Sequence, residues 1–282
     1  MTTYLFPGQG SQTRGMGSSL FSEFPDLVEK ADRILDYSIA TLCLQDPHNQ
    51  LNLTEFTQPA LYTVNALFYL EHLKDTKRKP DYVMGHSLGE YSALFAAGVF
   101  DFETGLALVK KRGELMSKSA KGAMAAVIGL TGEEVSAVLK EHHLSDVTIA
   151  NFNSYSQIVI SGSKEQIYAS ESLFKNAGAQ LFVPLKVSGA FHSHYMDKAQ
   201  SQFSEFLCEF TFNLPTLAII ANVNAKPYHP KEVAANLSSQ INHSVQWTQS
   251  VGYLLQQGET NFIEVGPGKV LTGLISRIQA GQ

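Results

Sequence analysis

Tyr82-Val83-Met84-Gly85-His86-Ser87-Leu88-Gly89-Glu90-Tyr91 runs from a short apolar stretch through two glycines into an alanine-rich segment that continues to Val99. The pattern predicts a strand, a sharp turn and a helix, with Ser87 at the apex. It matches the Gly-x-Ser-x-Gly nucleophile elbow. Glycine tolerates the strained turn that pushes the serine oxygen into the open. The N–H groups that open the following helix then lie beside that oxygen, backed by the positive end of the helix dipole. An ordinary glycine turn could use the same residues; the strand before it and the helix after it favour the elbow.

The same grammar recurs at both ends of the chain. Tyr4-Leu5-Phe6 is a strand followed by the turn Pro7-Gly8-Gln9-Gly10-Ser11-Gln12. Phe262-Ile263-Glu264-Val265 is a strand, Gly266-Pro267-Gly268 a turn, and Val270 to Ile278 a helix. Helical patterns cover Leu20 to Cys43, Phe102 to Lys118, Met196 to Phe210 and Lys231 to Gln240, and Leu217 to Asn222 reads as a strand. Thr57-Gln58-Pro59-Ala60 opens another helix, running to Leu73, with Thr57 as cap and proline in the first turn. Strands alternating with helices predict a parallel sheet covered on both faces. Ligands then collect beyond the carboxyl ends of the strands, where Gln9, Ser87 and the Gly266–Gly268 turn fall.

From Gly122 to Val187 the pattern changes. Strands at Met124–Leu130, Val147–Asn153, Gln157–Gly162 and Ala179–Val187 alternate with helices at Thr131–His142 and Ser163–Gly178. That βαββαβ order is ferredoxin-like. The expected fold is therefore α/β: a large α/β-hydrolase-like subdomain with a mostly parallel sheet (1–121 and 188–282), carrying an inserted ferredoxin-like small subdomain (122–187).

The chain has 282 residues, 44% of them hydrophobic and 17% charged, which suits a globular protein with a sizeable core. A net charge of −5 without a basic block argues against nucleic acid as partner. No apolar run reaches membrane-spanning length, and no signal peptide is visible. Two cysteines, Cys43 and Cys208, lack metal-type spacing and suit a cytoplasmic protein with reduced thiols. No P-loop or dinucleotide fingerprint is present; the Gly8-Gln9-Gly10 turn fails the latter at Thr13.

Three polar residues stand out. Gln9, in a tight turn after a strand, suits binding of a carbonyl or carboxylate oxygen, and suits a solvated turn equally. Arg112 shares a helix face with Leu108, Val109, Leu115 and Met116. It either snorkels its head to water or presents a fixed fork to a carboxylate. A nucleophilic serine also needs a base. Of nine histidines, His192 in the small-residue turn Ser188-Gly189-Ala190-Phe191-His192-Ser193 fits best, with His194 its local competitor. His86 adjoins the serine, but neighbours on an elbow point apart. No aspartate offers itself as a third member. A backbone carbonyl can orient the imidazole instead, and the neighbourhood of Asn242 and His243 is where to seek it.

Phe6 to Gln12, Gly85 to Glu90, Arg112 with Met116, Ala190 to Ser193, and Val265-Gly266-Pro267-Gly268-Lys269-Val270-Leu271-Thr272-Gly273 together resemble the malonyl-CoA:acyl carrier protein transacylases. The likeness spans nearly the whole chain in order. It is nearest to the discrete acyltransferases that load modular polyketide synthases in trans. The resemblance implies Ser87 as nucleophile and His192 as general base and acid. The N–H groups of Gln9 and Leu88 would form the oxyanion hole. Arg112 would hold the malonyl carboxylate, Gln58 would line the site, and Asn153 would lie near the thioester arm. Phe191, Met116 and His86 complete the implied substrate-binding set. Gly189 departs from the histidine often found three residues before the base, whereas Phe191 keeps the ring that crowds a 2-methyl branch. Malonyl-CoA and an acyl carrier protein are the implied partners. The sequence itself indicates no metal or redox cofactor, no nucleic acid and no membrane; it leaves oligomeric state open, with a monomer as the plain expectation. A housekeeping fatty-acid enzyme, a serine acyl hydrolase and a non-catalytic carrier-docking module are the competing classes.

Overall fold

The computed structural model describes residues 1–119 and 122–281. The expected subdomain boundary at 121/122 touches Lys121, which lies outside the described residues.

In chain order the elements are β1 (Thr3–Phe6), α1 (Leu20–Glu23), α2 (Pro25–Leu35), α3 (Ile39–Leu44), α4 (Thr54–Thr76), β2 (Tyr82–Gly85), α5 (Gly89–Ala96) and α6 (Phe102–Lys118). Then come β3 (Ala123–Ile128), α7 (Gly132–Glu141), β4 (Val147–Ser154), β5 (Gln157–Gly162), α8 (Lys164–Ala169), α9 (Glu171–Asn176) and β6 (Leu181–Pro184). The chain closes with α10 (Asp197–Leu207), β7 (Ala218–Ile219), α11 (Val233–Gln240), α12 (Trp247–Gln256), β8 (Phe262–Glu264) and α13 (Val270–Gln279).

The first sheet is parallel in the order β7-β2-β1-β8. Period-two alternation divides its strands between two layers. Tyr4, Phe6 and Val83 face a core shared with α4, α5 and α6, while Leu5 and Met84 face one shared with α12 and α13. Phe6 pairs with Gly85, so the turns that carry Gln9 and Ser87 leave neighbouring strands side by side. The second sheet is antiparallel, β4-β5-β3-β6, the strand order of a ferredoxin-like unit. Ala125, Val127, Ile158 and Ile160 pack under α7, α8 and α9, whereas Met124, Ala126 and Val159 join the main core. The α/β class and the two-sheet arrangement agree with the sequence expectation.

Several boundaries differ. The helical stretch from Leu20 to Cys43 is three helices, because Pro25 can only open a helix and Asp36, at φ +64°, closes one. Helix α4 begins at Thr54, so Thr57 is not its cap. The Thr57 hydroxyl donates instead to the carbonyls of Leu51 (2.6 Å) and Leu53 (3.0 Å), and Pro59 sits inside the helix. The helix expected from Ser163 to Gly178 breaks at Ser170, which serves as C-cap of α8 and N-cap of α9. Strands β6 and β7 are shorter than their apolar runs, and α10 ends at Leu207. Helix α12 was not expected at all.

Candidate active site

The elbow is held in shape by contacts that leave no room for side chains. A Cβ on Gly85 would stand 2.0 Å from the Gly89 carbonyl oxygen, and one on Gly89 would stand 1.9 Å from that of Phe6. Ser87 adopts φ +51°, a left-handed conformation costly for a non-glycine residue. Its N–H donates to Asn222 Oδ1 at 2.8 Å, and Asn222 Nδ2 donates to the Gly85 carbonyl at 2.7 Å. One asparagine thus clamps both sides of the turn.

Ser87 Oγ lies 2.8 Å from His192 Nε2. The other ring nitrogen, Nδ1, faces the carbonyls of Gln240 (2.8 Å) and His243 (3.1 Å). Carbonyl oxygens only accept, so Nδ1 carries the proton and Nε2 is left free to accept from the serine hydroxyl. The imidazole is oriented by backbone, as expected, with no carboxylate on it. Burial and the neighbouring Arg112 cation lower its pKa to about 3, so the ring is a neutral base.

The Gly8–Gln9 turn lies against the elbow: a Cβ on Gly8 would stand 2.2 Å from the His86 carbonyl oxygen and 3.6 Å from Leu88 N. Among the described residues, the N–H groups of Gln9 and Leu88 donate to no backbone or side-chain acceptor. Both residues line a cavity of about 90 Å³ that also contains Gln58, His86, Ser87, Arg112, Met116, Phe191 and His192.

Arg112 is 1% exposed. Nη1 donates to Gln58 Oε1 at 2.8 Å; Nη2 donates to Gln240 Oε1 at 2.8 Å and to Ser87 Oγ at 3.1 Å. Among the described residues its Nε has no partner, and the guanidinium lies over the Tyr91 ring, 5.5 Å from the centroid. Among the described residues no carboxylate forms an ion pair with it. The snorkelling alternative is therefore excluded. A buried cation held only by neutral acceptors is costly unless a ligand supplies the anion. Gln58 Nε2 reaches Met116 Sδ at 3.5 Å, which fixes the amide that faces the guanidinium.

Residues 3–279 match the model of the acyl transferase domain family. The chain is 59% identical over 280 residues to the polyketide biosynthesis malonyl CoA-acyl carrier protein transacylase PksC of Bacillus subtilis, covering 99% of this chain and 97% of that one. It is 42% identical to the malonyl CoA-acyl carrier protein transacylase of Synechocystis sp., covering 98% and 93%. The crystal structure of the Burkholderia pseudomallei malonyl CoA-acyl carrier protein transacylase superposes with a TM-score of 0.96 at 46% identity, covering 100% and 99%. This chain belongs to the malonyl CoA-acyl carrier protein transacylase family.

Not every sequence candidate of this transacylase-family chain reaches the cavity. Asn153 does not line it; its Oδ1 meets His86 Nε2 at 2.8 Å, and the His86 ring packs against Trp247, 5.4 Å between centroids. Asn151, two residues earlier on the same face of β4, lines the cavity together with Met124, Leu185 and Val187. Sequence reading also missed Asn222, Gln240 and the role of Glu90. Asn222 follows the strand beside β2, at the sheet end where sites gather. Gln240 lies on the α11 face that buries Val233, Asn236 and Leu237. That is the signal, a polar residue on an apolar stripe, that marked Arg112. Among the described residues no group of acidic, His or Cys side chains could hold a metal, and no helix is long and apolar enough to cross a membrane.

Proposed function

We propose that this chain moves a malonyl group from malonyl-CoA to the phosphopantetheine thiol of an acyl carrier protein, through a malonyl ester on Ser87. The observation that carries the reading is a guanidinium without an anionic partner among the described residues, buried beside a paired serine and neutral histidine. His192 Nε2 takes the Ser87 proton as Oγ bonds to the thioester carbonyl carbon. The carbonyl oxygen becomes an oxyanion held by the N–H groups of Gln9 and Leu88, a contribution of roughly 3–4 kcal/mol per donor. The C–S bond breaks, and the CoA sulfur leaves with the proton from His192. The carrier thiol then gives its proton to His192 and attacks the ester, and Ser87 Oγ recovers the proton as it departs. Arg112 grips the free carboxylate in both halves through parallel hydrogen bonds, and kinetics are ping-pong.

High identity to a transacylase named for polyketide biosynthesis supports service to a polyketide synthase in trans. A housekeeping fatty-acid role is the second reading, supported by the cyanobacterial relative, whose name carries no polyketide term. We assign residues 1–121 and 188–282 to a catalytic subdomain and 122–187 to a small one, and place the chain in the cytoplasm as a monomer.

Incubation with malonyl-CoA followed by digestion and mass spectrometry tests the site. A malonyl adduct is expected on the peptide containing Ser87, absent in Ser87→Ala and discharged by a holo carrier protein. An adduct elsewhere overturns the assignment, and one that discharges only to water makes the protein a hydrolase.

A further inference from the structure

Glu90, inside the elbow motif, is 1% exposed. Oε1 accepts from the Tyr228 hydroxyl (2.7 Å) and from the Asn222 N–H (3.1 Å), while Oε2 accepts from Gln240 Nε2. Gln240 Nε2 also donates to the Ser87 carbonyl at 2.8 Å, and Gln240 Oε1 accepts from Arg112 Nη2 at 2.8 Å. The direction of this chain is fixed by hydrogen-bond polarity. A guanidinium can only donate; an ionised carboxylate and a backbone carbonyl can only accept. Burial raises the Glu90 pKa to about 7, so its carboxylate is acceptor-only above that pH. Only one orientation of the Gln240 amide satisfies all three neighbours.

We propose that Glu90 is a positioning residue for acyl-group selection: its ionised carboxylate helps hold the Gln240 amide with the carbonyl toward Arg112, and so keeps the guanidinium poised beside Ser87. The proposal rests on Arg112 being the carboxylate clamp. Glu90 does not meet the substrate; Gln240 transmits its effect over two hydrogen bonds.

Glu90→Gln makes the consequence explicit. The carbonyl of the new amide stays with the Tyr228 and Asn222 donors, since two hydrogen bonds outweigh one. Its NH₂ then faces Gln240 Nε2, donor against donor. Gln240 can keep the Ser87 carbonyl and Arg112 only by facing that donor, and can turn over only by losing the Ser87 carbonyl and setting its own NH₂ against Arg112 Nη2; in either case the amide loses its anchor at position 90. The guanidinium loses the fixed geometry that a firmly held Gln240 gives it, while Ser87 Oγ and His192 keep their own contact. Malonyl recognition therefore suffers more than acetyl recognition.

The test compares kcat/KM for loading of Ser87 from malonyl and acetyl thioesters, in Glu90→Gln and Arg112→Ala. The malonyl-to-acetyl ratio is expected to fall about tenfold in Glu90→Gln, mainly through the malonyl KM, and further in Arg112→Ala. If Arg112→Ala collapses the ratio and Glu90→Gln leaves it within twofold, the proposal fails and the clamp stands. If Arg112→Ala leaves the ratio intact, the clamp itself is wrong and the proposal goes with it. Should Glu90→Gln not fold, Gln240→Met removes the relay's acceptor from Arg112. A lowered ratio there supports the relay, and an unchanged one overturns it.

Discussion

Arg112 Nη2 stands 3.1 Å from Ser87 Oγ, and His192 Nε2 stands 2.8 Å from the same oxygen. The hydroxyl can give its proton to the imidazole while accepting from the guanidinium. Once Oγ carries an acyl group, the guanidinium is free to turn to a carboxylate a few bonds further on. Arg112→Lys keeps the charge but not the fork. A single ammonium cannot hold Gln58, Gln240 and a carboxylate in one plane. Malonyl loading is expected to drop at least tenfold relative to acetyl loading, measured as the ratio of kcat/KM values. Equal loss of both would show that the planar geometry does not matter for selection.

The oxyanion hole makes a contrasting prediction. Gly8 approaches the His86 carbonyl so closely that a Cβ would lie 2.2 Å from it. Gly8→Ala must push the Gln9 turn away from the elbow, and with it one of the two N–H donors. Loss of such a donor costs about 10²–10³ in rate. Malonyl and acetyl transfer are expected to fall together, since both pass through the same oxyanion. A selective loss of malonyl transfer would place the Gln9 turn in carboxylate binding instead.

Much of this was legible in sequence because it is local. The placement of Arg112 on an apolar stripe depends on spacings within one element, and the elbow and the βαββαβ insertion on the order of elements consecutive in the chain. The partners that organise the site are not local: Asn222 meets Ser87 across 135 positions, and Gln240 across 153. Nothing near Ser87 announces them. Helix α12 escaped for another reason. Trp247, Val251 and Leu254 do lie on one face, packed under the first sheet, but Thr248, Ser250 and Gly252 lower helix propensity between them. Burial under the sheet, rather than propensity, makes that segment helical. Thr57 and Pro59 carry strong helix-start signals, yet the helix begins one turn earlier, at Thr54, after a leucine with no capping side chain.

His192 gives a prediction in pH. Its pKa is lowered from 6.5 to about 3, chiefly by burial and then by the Arg112 cation. The folded protein therefore leaves the ring neutral where the unfolded chain would bind a proton. Stability from this group is complete above pH ~6.5 and is lost progressively as pH falls from there toward ~3. Imidazole ¹⁵N shifts recorded at pH 5 should show a neutral His192 with its proton on Nδ1. An imidazolium at that pH would mean that the two carbonyls and Arg112 do not act on the ring as described.

Phe191 immediately precedes the base, is 5% exposed and lines the same small cavity as Ser87 and Arg112. With the ester carbonyl held in the oxyanion hole and the carboxylate on Arg112, the carbon between them has little freedom to move away from the ring. A 2-methyl branch must then displace Phe191 or loosen one of the two anchors. One methyl group is worth about 1–3 kcal/mol of discrimination, so the ring alone can supply a tenfold preference for malonyl. Phe191→Ala is expected to raise the methylmalonyl-to-malonyl loading ratio about tenfold, read by mass spectrometry from mixed thioesters competing for Ser87. It also empties a core position at a stability cost of roughly 3–5 kcal/mol, so Phe191→Leu serves as the milder partner, with a smaller change in the same direction. If neither variant moves the ratio, the ring does not crowd the branch, and selection against it must lie with Met116 and the other walls of the cavity.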